Sequence, residues 1–86
     1  MQRHLTELEV KAAALRLAKL IPHEVDAFFT AVETESLEVL EQLADLLDRV
    51  SMRYARTGRF GAVEALFPYV ERVKMEPELR KQRLLN

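Results

Sequence analysis

The chain has 86 residues, no cysteine, 31% charged side chains and a formal net charge of −1. A length of this order encloses one small core and hides only about 60–65% of the surface that the unfolded chain exposes. The lack of cysteine excludes a disulfide framework, a thiolate metal site and a thiol nucleophile, and the near-neutral charge argues against a generic polyanion binder.

Met1, Gln2, Arg3 and His4 lead into charged residues rather than an apolar run of the secretory type, and no window approaches the ~20 apolar residues that span a bilayer. The expectation is one all-helical domain over 1–86, cytoplasmic, with the Leu-, Ala-, Glu- and Arg-rich style of a bacterial or phage protein. No stretch alternates with a period of two for long enough to suggest a strand.

Thr6 and Glu9 stand in capping-box register, with Leu5 and Val10 at the hydrophobic-staple positions, so a first helix is predicted over 7–20, ending before Pro22. Val10, Ala13, Ala14, Leu17, Leu20 and Ile21 share one face of it, and Leu8, Ala12 and Leu15 form a second stripe nearly opposite. A helix apolar on two sides is sandwiched in a fold or meets another subunit. Pro22 suits the first position of a second helix over 22–33, where Val25, Phe28, Phe29 and Val32 follow at i, i+3, i+4 and i+7.

Thr34 and Ser36 offer N-caps for a third helix over 37–56. Leu40, Leu43, Ala44, Leu47, Val50 and Tyr54 line its apolar half. Its polar half places acids first and arginines last, matching the helix dipole, with Asp45 and Arg49 paired at i,i+4. Gly58 ends it as a left-handed residue. A fourth helix over 60–74 carries Val63, Leu66, Phe67, Val70 and Val73 and kinks at Pro68, which cannot donate to the carbonyl of Glu64. Pro77 then opens a last short helix over 77–85 with Leu79, Leu84 and Leu85. The whole reads as an all-α compact bundle of four to five short antiparallel helices, with a dimer as an open alternative.

Catalytic chemistry is missing from the pattern. His23, in the first turn of the second helix beside Glu24 and Asp26, does not converge with His4 on one ion. No Glu-x-x-His pair exists for a di-metal bundle. Gly58 and Gly61 are followed by no Lys-Ser/Thr, and Ser36 and Ser51 have no neighbouring base. Glu33, Glu35, Glu38 and Glu41 read as dipole-matched surface acids rather than a general acid/base pair. The expectation is a protein that is not an enzyme, with no catalytic residue, no metal, no cofactor and no small-molecule substrate.

Charge is divided along the chain. Up to Asp48 there are ten acids and four bases, and from Arg49 onward nine bases and four acids. Arg49, Arg53, Arg56 and Arg59 fall in a stretch without any acid. They are either solvated and self-paired, or form a positive patch that meets an acidic partner. Nucleic acid is one such partner, since phosphate contacts need clustered arginine or lysine. Against it, the outward residues of the fourth helix, Gly61, Ala62, Glu64 and Ala65, offer no base-reading donor beyond Arg59. The split of signs also favours antiparallel self-association.

Residues 47–77 resemble one tetratricopeptide helical hairpin. Leu47, Val50, the small Ser51 and Tyr54 fall where the first helix of such a repeat packs, Gly58-Arg59-Phe60 looks like its turn, and Phe67 and Val70 match apolar positions of its second helix. Val63 stands where alanine is usual, Pro68 interrupts the second helix, and no second copy follows the 34-residue period. The resemblance implies a peptide- or protein-binding helical scaffold, as in small bacterial secretion chaperones.

The reading is therefore a non-catalytic protein–protein interaction module of the adaptor, chaperone or inhibitor kind, binding another protein or itself by an apolar helix face. Its candidate contacts are Leu8, Leu15, Phe60, Phe67, Tyr69 and Leu84, with Arg49, Arg53, Arg56 and Arg59 at the rim. The alternative is a small nucleic-acid-associated regulator using the basic cluster over 49–59.

Overall fold

A computed structural model describes residues 5–85, so His4 lies outside the described residues. Among the described residues the fold is an all-α bundle of four helices: α1 (Glu7–Leu20), α2 (Val25–Thr34), α3 (Leu37–Arg56) and α4 (Phe60–Leu85). Thr6 and Glu9 form the capping box reciprocally, the Glu9 amide donating to Thr6 Oγ1 and the Thr6 amide to Glu9 Oε1. Ser36, rather than Thr34, caps α3 by accepting from the Val39 amide. At the other end of α3, Gly58 takes φ 77°. The Arg59 amide then donates to the Tyr54 carbonyl and the Gly58 amide to that of Ala55, a Schellman closure that satisfies two orphan carbonyls.

Two boundaries differ from the sequence expectation. Residues 21–23 form a turn that continues the end of α1, with the amides of His23 and Glu24 donating to the Leu20 carbonyl. Pro22 thus sits in that turn, and α2 begins only at Val25. His23 is accordingly a turn residue and not part of α2.

The larger correction concerns α4, which runs unbroken from Phe60 to Leu85 with both Pro68 and Pro77 inside it. No separate helix over 77–85 exists. An internal proline removes one helical hydrogen bond and costs about 3 kcal/mol. Side-chain bonds spanning Pro77 offset that cost. Glu76, wholly buried, accepts from Arg72 before the proline and from Arg80 and Arg83 after it. Arg80 also reaches across to the end of α2, where its Nη2 donates to the carbonyls of Val32, Glu33 and Glu35. Those are among the carbonyls that a helix C-terminus leaves without partners.

Short connections alternate the helix directions. The start of α1 lies beside residues 38–42 and its end beside residues 46–54, so α1 and α3 run the same way. Between them, α3 packs broadly against both α1 and α4, whereas α1 and α4 barely touch. The core is Val10, Ala14 and Leu17 of α1, Phe28 and Val32 of α2, Val39, Leu40, Leu43 and Leu47 of α3, and Val70 and Val73 of α4. Along the chain it stops at Leu47 in α3 and resumes at Val70 in α4. From Val50 to Leu66 no side chain is fully buried.

Candidate partner-binding groove

No α2 residue lines the space where α1 and α4 stay apart and α3 forms the floor between them. The result is an apolar groove of about 390 Å³. Leu15, Ala18, Ile21 and Pro22 supply one wall, Leu46, Leu47, Val50 and Tyr54 the floor, and Ala62, Ala65 and Leu66 the other wall. Small residues at 18, 62 and 65 keep it open, because a leucine at any of them would fill the gap between the two walls. No carboxylate lines it.

Lysines and arginines lie along α1 and the end of α3, although Lys11 pairs with Glu7 at 3.2 Å and Arg16 borders a separate cleft with Glu9 and Glu35. Arg49 borders a smaller cleft beside the groove, together with Lys11, Ala14, Leu15, Gln42 and Leu46. Its ion pair with Asp45 is long, at 3.7 Å, and exposed, and such pairs contribute little. Arg16, Lys19, Arg53, Arg56 and Arg59 make no ion pair among the described residues. Their charge is free to act on whatever approaches.

The structure brings together only part of the contact set expected from sequence. Leu15 lines the groove, half exposed, with Arg49 close by. Leu8 is 80% exposed on the outer stripe of α1, which is open to solvent rather than sandwiched. Phe60 and Phe67, seven residues apart on one face of α4, are exposed but do not line the groove. Leu84 is exposed at the far end of α4. Tyr69 belongs to the interior instead: its half-buried ring stacks on Phe29 and meets Phe28 edge-on, each at a centroid distance of 5.6 Å.

Sequence reasoning placed Val50 and Tyr54 on the apolar half of α3 and read Ala62 and Ala65 as outward residues of α4. The available signal was the pair of alanines at i and i+3 on α4, matched by Ala18 on α1. Small residues at that spacing let two helices approach, or leave a trough when they do not.

The other concentration of polar chemistry is the Glu76 cluster. Burial alone would raise the Glu76 carboxyl, but hydrogen bonds from Arg72, Arg80 and Arg83 outweigh it and hold the group below its ordinary range. With both oxygens engaged, Glu76 has no lone pair free for base chemistry, and its role is to join helix segments. Among the described residues no group of three or more His, Asp or Glu is placed to hold a metal ion, and no helix is long and apolar enough to cross a membrane.

Comparison with known proteins finds no match: no family model fits the chain, and no curated protein or solved structure is significantly similar to it. The likeness of residues 47–77 to a tetratricopeptide hairpin therefore remains one of local sequence.

Proposed function

We propose that this protein is a non-catalytic interaction module of adaptor, chaperone or inhibitor type, which docks a helix of another protein in the groove between α1 and α4. The observation that carries the reading is the groove itself, apolar along its whole length. Burying one leucine side chain there contributes about 2 kcal/mol, so three anchors suffice for useful affinity after the cost of association. The rim arginines speed encounter and fix orientation more than they add affinity.

The test compares the proteins recovered from the native cell by the wild-type chain, by Ala65→Leu, which fills the groove, and by Phe67→Ser on the other face of α4. The expected result is a partner retained by wild type and Phe67→Ser and lost with Ala65→Leu. A partner set indifferent to Ala65→Leu would overturn the reading.

The unpaired state of Arg53, Arg56 and Arg59 favours one second reading, nucleic-acid association. Micromolar binding to generic DNA or RNA that weakens steeply with salt, and disappears in Arg53→Glu/Arg56→Glu, would establish it in place of the first. No binding at low salt removes it.

A further inference from the structure

We infer that the occupant of the groove is an acidic amphipathic helix from another protein. This rests on the docking role proposed above and adds the chemistry of the partner.

The α1 wall and the outer part of the floor, from Val50 to Tyr54, arise from stretches of sequence without a carboxylate. Residues 10–23 hold Lys11, Arg16 and Lys19 and no acid, and residues 49–63 hold four arginines and no acid. The nearest carboxylates are already engaged or turned away. Asp45 pairs with Arg49 and Asp48 with Lys74, while Glu64 lies about 200° around α4 from Ala62. An approaching helix therefore meets an apolar trough with no acid in its lining and with cations along α1, along the end of α3 and at the turn into α4. Opposite charge on the helix flanks is favoured, and like charge is penalised.

The dimensions fit the same occupant. Leu46 to Tyr54, the ends of the floor, are eight residues apart, about 12 Å along α3. Apolar anchors at i, i+3 or i+4, and i+7 of a docked helix span about 10.5 Å. The free apolar end of this chain does not suit the site. Leu84 and Leu85 stand at the far end of α4, beyond the Glu76 cluster, and the continuous helix between holds them away from the groove.

Fluorescence anisotropy with the full chain tests the inference using three labelled helical peptides. One carries leucines at i, i+4 and i+7 with glutamate flanks, the second has lysine in place of each glutamate, and the third is the acidic peptide scrambled. The acidic patterned peptide is expected to bind with micromolar Kd at low salt, and the lysine peptide at least about tenfold more weakly. Arg53→Glu/Arg59→Glu should weaken the acidic peptide at least about fivefold. Ala65→Leu, or Ala62→Glu as a second groove variant, should abolish binding while circular dichroism stays unchanged.

Equal binding of the lysine peptide, lost with Ala65→Leu, would overturn the acidic occupant and leave the groove reading standing. Equal binding of the scrambled peptide would mean a charge contact without docking, and overturns the inference. Failure of both patterned peptides would sink the docking role as well. Light scattering that shows a dimer dissolved by Ala65→Leu would make a second copy the occupant instead.

Discussion

Glu76 and Arg80 meet across Pro77, the Arg80 Nε donating to Glu76 Oε2 at 3.0 Å, while the same guanidinium holds the end of α2. One side-chain pair thus carries α4 through its second proline and fastens the shortest helix to the longest. A buried charge stripped of its partners costs far more than the pair contributes when intact.

Removing the carboxylate should therefore be severe. Glu76→Ala leaves three guanidinium groups facing a cavity and is expected to cost about 3 kcal/mol. Arg83→Ala, whose side chain is half exposed, should cost under about 1 kcal/mol. Urea unfolding of the two variants measures the contrast, and equal losses would show that the cluster is not the junction described.

The same carboxylate gives stability a pH dependence of definite sign. Its arginine partners hold the folded-state pKa below that of the unfolded chain. A depressed acid contributes fully above the unfolded value, about 4.3, and the contribution is lost as pH falls through the folded value. The stability gap between wild type and Glu76→Gln should be constant near neutral pH and narrow on acidification below that value. Urea midpoints of both proteins over the acid range provide the measurement, and a gap independent of pH would refute the assignment.

The aromatic cluster separates interior from surface among the residues on which binding was expected. Phe28 is fully buried, so Phe28→Ala should cost about 3–5 kcal/mol. Tyr69→Phe keeps both ring contacts and should change stability by less than about 0.5 kcal/mol. Tyr69→Ala should destabilise the fold, which distinguishes it from Phe67→Ala, a change at an exposed ring. Thermal melts of the four variants decide the matter.

Local rules made most of the helices legible. The Thr6–Glu9 box, the Ser36 cap and the left-handed Gly58 each act within a few residues, and the capped or closed ends they mark are those observed. The course of α4 was not legible, because what carries it past Pro77 includes bonds from Arg80 to Val32 and Glu35, more than forty residues away in sequence. Only the register of Arg72, Glu76, Arg80 and Arg83 hinted at it, a row at i−4, i+4 and i+7 that shares one face. The groove was hidden for a related reason. Large exposed residues draw attention, whereas a trough is made by small ones such as Ala18, Ala62 and Ala65 whose significance depends on which helices fail to meet.

Pro68 offers the sharpest test of the unbroken α4. Its ring is exposed, and the missing amide leaves the Glu64 carbonyl without its helical donor. Pro68→Ala restores that bond without opening a cavity, and should stabilise the protein by about 1–3 kcal/mol. For a chain of this length, each 1 kcal/mol raises Tm by about 4–8 °C. Pro77→Ala regains a bond too, but Pro77 is half buried and borders a cleft with Leu37, Leu40 and Val73, so lost packing should offset most of the gain. A higher Tm for Pro68→Ala and a small change for Pro77→Ala are the expected pair of results. Loss of stability on replacing Pro68 would mean that the helix bends there to a shape that only proline maintains, and the groove wall at Ala65 and Leu66 would then depend on that bend.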